Sequence, residues 1–224
     1  MTARRRDIKK MTKQCRIHFI GIGGVGMSGL AHIFLNRGYS ISGSDISESE
    51  RTEALKARGV DIFIGHSACN LPADTGRVVV STAIKSDNPE LVGAHKRNIP
   101  VLHRSDLLAE LFLDSKCGIA VAGCHGKTTV SSMLATVLKV TDKDPTCVIG
   151  GYVAALNGYS SAGHSELFVA EADESDATFL KYFPQYGVVT NIDNDHLDHY
   201  DSIAAIIKAF EVFASHISPE GALF

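Results

Sequence analysis

Short apolar runs alternate with amphipathic stretches from residue 16 almost to the end of the chain. Most of the apolar runs are continuous and rich in Val and Ile, which is typical of strands buried on both faces of a parallel sheet. Strands are predicted at 16–20, 39–42, 61–64, 77–81, 100–102, 118–122, 147–149, 167–170 and 188–191. Helices are predicted between them, at 26–36, 49–58, 89–97, 105–113, 127–139 and 202–216. This alternation predicts an α/β fold built on parallel sheets with right-handed crossovers.

One internal boundary is indicated near Leu113–Lys116, because a new strand and a second glycine-rich turn follow it directly. We therefore expect a Rossmann-like parallel-sheet domain at 1–114 and a second α/β domain, of the phosphate-loop type, at 115–224. The segment GYSSAGHS at 158–165 is polar and is predicted to be a surface loop. The final residues ALF look like the start of another strand, so the second domain is expected to be incomplete.

Composition narrows the class of protein. Apolar residues make up 45% of the chain and charged residues 21%, with a net charge of −3, which excludes a disordered chain and a strongly basic nucleic-acid binder. No apolar run is long enough to span a membrane, and the basic start is followed by residues typical of a strand and turn rather than a signal peptide. The five cysteines form no C-x-x-C pair and are odd in number, which favours a reducing cytoplasm. We expect a cytoplasmic protein with neither a nucleic-acid nor a membrane partner.

The first glycine loop, Gly21-Ile-Gly-Gly-Val-Gly26, lies between a predicted strand and a predicted helix. Gly21 permits a tight turn, Gly23 lets the backbone approach a phosphate, Gly26 lets helix and strand pack closely, and the helix amides attract a diphosphate. Asp45 follows the second strand, where a carboxylate is placed to accept hydrogen bonds from a ribose hydroxyl. These features predict a diphosphate site, for which NAD is the default ligand, although a UDP-sugar would satisfy the same amides; the alternative is a tight turn without a ligand.

The second glycine loop, Gly123-Cys-His-Gly-Lys-Thr-Thr129, also joins a strand to a helix. Its backbone amides are suited to cradling phosphates, with Lys127 on the β/γ oxygens and the Thr128 hydroxyl on Mg²⁺. The loop is shorter than G-x-x-x-x-G-K-[ST], because Val121 stands six residues before the lysine. We predict a nucleoside triphosphate site here.

Two acidic segments follow later strands. Four carboxylates crowd into residues 171–176, and Glu171, which is nearest the strand, is the predicted Mg²⁺ ligand. The alternative for this cluster is a solvated acidic turn, and it carries more weight for Asp173, Glu174 and Asp176 taken singly. The segment NIDNDHLDH at 191–199 interleaves carboxylates with histidines, and His196 is the predicted ligand of a second metal ion. His18, His95, His164 and His199 are interpreted as structural.

Five segments occur in one order and together resemble the Mur ligases of peptidoglycan synthesis. They are HFIGIGGVGMSGLA, STAIKSDNPELV, GIAVAGCHGKTT, FVAEADESDATFL and VVTNIDNDHLDHYDS, and the resemblance covers nearly everything from Cys15 to the end. It implies that the first loop binds the diphosphate of UDP-N-acetylmuramate rather than NAD. The implied substrate-binding residues are Gly21, Gly23, Gly24, Gly26, Met27, Ser28, Asp45, His66, Ser81, Thr82, Ala83, Ile84, Asn88 and Pro89.

The resemblance also implies an ATP site with Mg²⁺. The nucleotide would lie on Gly123, Cys124, His125, Gly126, Lys127, Thr128, Thr129 and Asn191, with Thr128, Glu171 and His196 as metal ligands. Lys127, His125, Glu171 and His196 are the implied catalytic residues, and His125 would face the substrate. The family usually has Thr where this chain has Cys124, a departure that removes a hydroxyl from the loop.

The implied reaction is ATP-dependent amide ligation. ATP would convert the lactyl carboxylate to an acyl phosphate, which the α-amine of L-alanine would attack, and the lysine, metal ions and helix amides would neutralise charge. Family members continue into the rest of an ATPase domain and a third domain, so this chain is expected to bind the UDP-sugar but to ligate poorly or not at all. An NAD(P)-dependent oxidoreductase is an alternative that leaves the second loop without a function. A non-catalytic UDP-sugar-binding module is a further alternative.

Overall fold

The computed structural model describes residues 15–193 and 200–224. The chain divides into two compact units, one ending at Arg104 and the other beginning at Ser105. Each unit has its own sheet with helices between the strands. The α/β fold predicted from the sequence is therefore confirmed.

Unit 1 is a five-stranded sheet in which every pairing is parallel, with the order β3-β2-β1-β4-β5. Its elements are β1 (Arg16–Ile20), α1 (Val25–Asn36), β2 (Ile41–Asp45), α2 (Glu50–Lys56), β3 (Asp61–Ile64), β4 (Thr75–Val80), α3 (Pro89–Lys96) and β5 (Val101–His103). Since the chain leaves β1 toward β2 on one side and reaches β4 on the other, strand order reverses beside β1. In such sheets a crevice opens at the carboxyl ends of the strands at this reversal.

The central strand β1 explains why unit 1 holds together. Ile17, Phe19 and Ile20 are fully buried, and so is His18 between them, so the strand is covered on both faces. Burying one side chain of this size contributes about 1.5–3 kcal/mol. The strand that ends in the first glycine loop is therefore firmly packed in the core of the unit.

Unit 2 is a six-stranded sheet with the order β11-β10-β6-β9-β7-β8. Its elements are α4 (Arg104–Asp114), β6 (Cys117–Ala122), α5 (Lys127–Val140), β7 (Thr146–Val153), β8 (Gly158–Ser161), β9 (Leu167–Glu171), β10 (Tyr186–Val189), α6 (Ile203–Ser215) and β11 (Ala222–Leu223). All pairings are parallel except that of β7 with β8. The second glycine loop leaves β6, in the interior of this sheet. The strand predicted at the end of the chain is present as β11, paired with β10.

Helix α4 packs with unit 2. The Phe112 ring lies 4.7 Å from that of Phe168 and 5.1 Å from that of Tyr182, measured between centroids. A Cβ added at Gly118 would lie 2.7 Å from Phe112, so the glycine gives this ring its place against β6. The division between the units consequently falls one helix before the boundary expected at 114.

The prediction that residues 158–165 form a surface loop is wrong for the first half of the segment. Residues Gly158–Ser161 form β8, which pairs antiparallel with β7 through Ser160 and Ser161. The segment lacks an apolar signal because β8 is the edge strand of its sheet, where polar side chains are tolerated. Within the described ranges, no helix is both long and apolar enough to cross a bilayer.

Candidate functional site

The first glycine loop turns sharply at Gly21, which has a φ of +80°. The amides of Gly21 and Ile22 both donate to the carbonyl of Ser44, at 2.8 and 2.9 Å. The Gly23 amide donates to Asp45 Oδ2 at 2.8 Å. A Cβ on Gly23 would lie 2.9 Å from that same oxygen, so Asp45 itself demands glycine at this position.

Gly26 was expected to permit close packing of helix and strand, but the structure leaves space around it. A Cβ there would meet only Arg104, no closer than 3.5 Å, which is ordinary contact. The close packing expected at Gly26 occurs instead at Gly43 of β2, where a Cβ would lie 2.6 Å from Ile22 Cδ1 and 2.7 Å from Phe19 O. The loop folds back over β2 and leaves no room for a side chain there.

A cleft of about 570 Å³ opens at the carboxyl ends of β1, β2, β3 and β4, where the strand order reverses. Most of the residues predicted to bind the UDP-sugar line it: Gly21, Gly23, Gly24, Met27, Asp45, His66, Ser81, Ala83, Ile84 and Asn88. The remaining four, Gly26, Ser28, Thr82 and Pro89, are not among its lining residues. Ser28 is buried and donates to Val25 O at 3.1 Å, and Pro89 occupies the first turn of α3.

Two cationic residues of the cleft were missed by the sequence interpretation. Arg51 and Lys85 line it, and Arg51 Nε donates to the Gly23 carbonyl at 2.5 Å. The available signal was a basic residue in the first turn of the helix that follows Asp45. Cations beside a glycine loop favour an anionic ligand.

His66 reaches the cleft from a buried polar cluster centred on Glu90. The Glu90 side chain is fully buried, and its Oε1 accepts from His66 Nδ1, the Ser67 amide and Asn70 Nδ2, each at 3.1 Å. Burial alone would raise the pKa of Glu90, but hydrogen bonds from His18 and Ser44 outweigh it and the pKa is lowered. Glu90 is therefore an ionised acceptor within the core of unit 1, a role that sequence reasoning missed.

The two helices that follow the glycine loops differ from other helices of the chain in how their N-termini are capped. Helices α2, α3 and α6 are capped by the side chains of Ser49, Asn88 and Ser202. By contrast the N-cap residues of α1 and α5 are Gly24 and Gly126, and neither helix has a side-chain cap. The amides that open these two helices are left for water or a ligand, which is the arrangement expected of an anion site.

The second glycine loop depends on left-handed backbone at two positions. Gly123 has a φ of +130° and Gly126 a φ of +82°. A Cβ on Gly123 would lie 2.1 Å from Thr190 Oγ1, so the close approach of the segment after β10 also requires glycine. The segment that follows the neighbouring strand β10 therefore packs directly against this loop.

Lys127 is turned toward protein acceptors. Its Nζ donates to Glu174 Oε1 and Oε2, both at 2.9 Å, and to the Gly123 carbonyl at 2.8 Å. The Glu174 side chain is 1% exposed, and Tyr200 donates its hydroxyl to the Glu174 carbonyl at 2.7 Å. The solvated turn that the sequence left open for Glu174 is wrong: the turn after β9 folds this side chain inward, where it is the buried partner of the lysine.

Glu171 and Thr128, both predicted metal ligands, lie together at the carboxyl edge of the sheet. Thr128 Oγ1 donates to Glu171 Oε2 at 3.2 Å, while Ser131 Oγ and the Gly150 amide hold Oε1 at 2.9 and 2.7 Å. A carboxylate and a hydroxyl are the hard oxygen donors that Mg²⁺ prefers, so the pair fits that ion. A Cβ on Gly150 would lie 2.7 Å from Glu171 Oε2, a constraint that the sequence did not reveal.

Asn191 braces the second loop. Its Oδ1 accepts from the His125 amide at 2.9 Å and its Nδ2 donates to the His125 carbonyl at 2.8 Å. The Cys124 thiol is buried and accepts from the Asp193 amide at 3.2 Å, so the sulfur takes a structural hydrogen bond in this loop. The His125 side chain is exposed, with Nε2 3.7 Å from Asp193 Oδ2.

The second predicted metal ligand, His196, lies outside the described residues. Within residues 15–193 and 200–224, no three His, Cys, Asp or Glu side chains converge as a metal-binding group.

Comparison with known proteins bears directly on these two loops. Residues 16–116 match the Mur ligase family, catalytic domain, and residues 121–224 match the Mur ligase middle domain. The chain belongs to the Mur ligase family. The first matched region of this Mur ligase chain contains the first glycine loop, and the second matched region contains the second glycine loop.

Curated relatives of this Mur ligase chain carry the name UDP-N-acetylmuramate–L-alanine ligase. The protein of Carboxydothermus hydrogenoformans is 53% identical over 213 residues, which are 95% of this chain and 46% of the relative. That of Aquifex aeolicus is 50% identical over 202 residues, covering 90% of this chain and 44% of the relative. The chain thus spans less than half the length of these relatives.

Solved structures agree with the sequence comparison. The UDP-N-acetylmuramate–alanine ligase of Thermotoga maritima superimposes with a TM-score of 0.85 at 37% identity, covering 93% of this chain and 49% of that one. A ligase from Neisseria meningitides, whose title names UDP-N-acetylmuramate and L-alanyl-γ-D-glutamyl-meso-diaminopimelate, gives 0.84 at 29% identity, covering 94% and 70%. The arrangement of strands and helices around both loops is accordingly that of Mur ligases.

Proposed function

We propose that this chain carries the UDP-N-acetylmuramate site and the triphosphate loop of an ATP-dependent ligase that joins L-alanine to UDP-N-acetylmuramate. The observation that carries the proposal is the pair of uncapped helix starts at Gly24 and Gly126, each following a central strand of its sheet. The names of the relatives supply the identity of the substrates.

The cleft of unit 1 suits a nucleotide diphosphate sugar. Its glycine loop offers helix amides to phosphate, and Arg51 and Lys85 supply positive charge at its wall. Asp45, His66 and the Ser81–Asn88 segment offer acceptors and donors for the uridine and sugar groups. A volume of about 570 Å³ is within the range of small-molecule sites.

The second loop suits the triphosphate of ATP with Mg²⁺. The amides at the start of α5 would hold phosphate oxygens, and Lys127 would neutralise charge on them. Thr128 and Glu171 would hold the metal ion, which supplies charge neutralisation during transfer of a phosphoryl group to the lactyl carboxylate. His125, at the exposed surface of the loop, is the residue we place toward the substrate.

The hypothesis of an NAD(P)-dependent oxidoreductase is weaker, because it leaves Lys127, Glu171 and Thr128 without a function. The non-catalytic UDP-sugar module agrees with our proposal on unit 1 and differs only in turnover.

Calorimetry with UDP-N-acetylmuramate, UDP, NADH and Mg·ATP tests the proposal. We expect UDP-N-acetylmuramate and UDP to bind in unit 1 and NADH not to bind. Binding of NADH without UDP would overturn the assignment. A coupled phosphate-release assay should show little or no L-alanine-dependent turnover by these 224 residues, and turnover at the rate of a full-length relative would contradict that expectation.

A further inference from the structure

The cleft residue His66 has a ring whose two nitrogens lie in different surroundings. Its Nδ1 lies 3.1 Å from Ser44 Oγ and 3.1 Å from Glu90 Oε1, behind the cleft wall. The structure records no hydrogen bond at Nε2 within the described residues, and 18% of the side chain is exposed. The ring therefore presents Nε2 as its unsatisfied polar atom, at a position that lines the cleft.

The hydrogen atoms around Nδ1 can be assigned by counting donors. Ser44 has one hydroxyl proton, and it goes to Glu90 Oε2 at 2.6 Å. Toward His66 the Ser44 oxygen can then only accept. Glu90 is a carboxylate with lowered pKa, so Oε1 can also only accept. Both neighbours of Nδ1 are acceptors, and Nδ1 must carry the proton that they share.

Glu90 is itself held rigidly, which makes this assignment firm. Oε2 accepts from His18 Nε2 at 2.9 Å as well as from Ser44, and His18 Nδ1 in turn faces Ser42 Oγ at 2.9 Å. The carboxylate comes from α3, in which Asn88 caps the helix by accepting from the Glu90 amide at 2.9 Å. A fully buried carboxylate with five donors has no alternative position available at low cost.

We infer that Glu90 is a positioning residue for the cleft: it fixes a proton of His66 on Nδ1, so that in the neutral form of the ring Nε2 is a hydrogen-bond acceptor available to a ligand in the cleft. A free histidine side chain favours the opposite form, with the proton on Nε2. In other histidine sites too, a carboxylate that accepts a hydrogen bond from one ring nitrogen fixes the tautomer and so determines the role of the other nitrogen. His66 then selects a ligand hydroxyl or N–H group rather than a phosphate oxygen, a statement that rests on the proposed UDP-sugar site.

Ring-nitrogen NMR of the ¹⁵N-histidine-labelled chain tests this directly. At about pH 8.5, two units above the ordinary histidine pKa of ~6.5, His66 Nδ1 should resonate as a protonated pyrrole-type nitrogen and Nε2 as a pyridine-type nitrogen. The reverse pattern in the wild-type chain would overturn the inference without any mutation.

Three variants then identify the group that is responsible. Glu90→Gln should move His66 toward the mixture of forms seen in free histidine, and retention of the Nδ1–H form would remove Glu90 from the role. Ser44→Ala leaves Glu90 Oε1 in place, so the Nδ1–H form should persist; its loss would assign the role to Ser44 and overturn our inference. Asn70→Ala, which deletes another donor to Oε1, is the matched control and should leave the His66 spectrum unchanged.

Titration with UDP-N-acetylmuramate separates this inference from the proposed function. Binding should shift the Nε2 resonance in the direction of an accepted hydrogen bond and leave Nδ1 protonated. Calorimetric binding with an unmoved Nε2 resonance would overturn the role of His66 as an acceptor. Absence of calorimetric binding would instead overturn the proposed function, while the spectrum of the free chain would still decide the assignment of the proton.

Discussion

The two glycine loops both join a strand to a helix without a side-chain cap, but different protein side chains contact them. In the loop of unit 1, Asp45 and Arg51 engage the Gly23 amide and carbonyl, and a cleft of about 570 Å³ lies alongside. In the loop of unit 2, the side chain expected to meet phosphate, Lys127, donates to Gly123 O and to both oxygens of Glu174. The first loop is therefore held by side chains from β2 and α2, whereas the second loop accepts a hydrogen bond from the lysine that follows it.

The difference shows what a phosphate-loop sequence does and does not specify. An ammonium group has three protons, and Lys127 Nζ has three acceptors within 2.9 Å. A triphosphate must therefore replace at least one of these bonds before the lysine can donate to it. The cost is greatest for Glu174, since a buried carboxylate loses its cation. We expect ligand binding at the two loops to respond very differently to mutation.

The largest effect is expected for Lys127→Ala. Loss of a charged donor should weaken Mg·ATP binding by about 10- to 100-fold, the ~1.5–3 kcal/mol of a hydrogen bond to a charged group. Affinity for UDP-N-acetylmuramate should stay within about twofold, because sites that share no partners are nearly additive. Calorimetry with each ligand measures both values.

The same substitution should also destabilise the fold. Removing one member of a buried ion pair costs about 3–5 kcal/mol, and adding Glu174→Gln should recover part of that loss in chemical denaturation. The matched control is Lys139→Ala, on the same helix but in a half-exposed pair with Asp144. Equal loss of both ligands in Lys127→Ala would contradict the separation of the two loops.

Gly23→Ala should affect the first loop alone. Its Cβ would press against Asp45 Oδ2 and Thr52, so we expect a loss of about 1–3 kcal/mol in unfolding free energy and weaker binding of the UDP-sugar. Gly26→Ala is the control for stability, because its Cβ meets only Arg104; it should be neutral or stabilising by up to about 1 kcal/mol. Destabilisation by Gly26→Ala exceeding that of Gly23→Ala would refute this account of the loop.

Glu174→Gln should have the opposite effect on the second loop, because it should strengthen the binding of Mg·ATP rather than weaken it. The amide keeps the shape of the side chain but attracts Lys127 less, so the lysine is released more easily. We expect Mg·ATP to bind about three- to tenfold more tightly, corresponding to the ~0.5–1.5 kcal/mol of an ordinary hydrogen bond. Weaker binding in this variant would show that Glu174 aims Lys127 at the phosphates rather than competing with them.

The smallest effect is expected outside both loops. Hydrogen bonds from the His164 amide and ring and from Lys139 lower the pKa of Asp144 to about 2. A depressed pKa contributes stability above the ordinary aspartate value of 3.8, and that contribution is lost as the pH falls through about 2. Thermal unfolding of Asp144→Asn should therefore differ from wild type above pH 3.8 and converge with it at lower pH, with binding of both ligands unchanged. A constant difference across that range would contradict the pKa assignment.

Periodicity and glycine spacing were sufficient for much of the fold. A short apolar run predicted the central strand β6, because a strand buried on both faces leaves no polar alternation, and β1 was predicted although His18 interrupts its apolar residues. The edge strand β8 was missed for the converse reason, since a strand with one unpaired edge tolerates GYSS. Resemblance to Mur ligases was confirmed by comparison, while the roles of the individual site residues stay predictions.

By itself, the sequence determined which backbone segments could hold anions, since glycines at a strand-to-helix junction leave helix amides without a side-chain cap. Only the tertiary structure decided which side chains meet there. Glu90 and Glu174 read as ordinary helix and loop carboxylates, and both are buried because distant elements supply their partners: His18 on β1 for one, Lys127 on α5 for the other. Burying a carboxylate is favourable only where such donors converge, and that convergence depends on the packing of segments far apart in the chain.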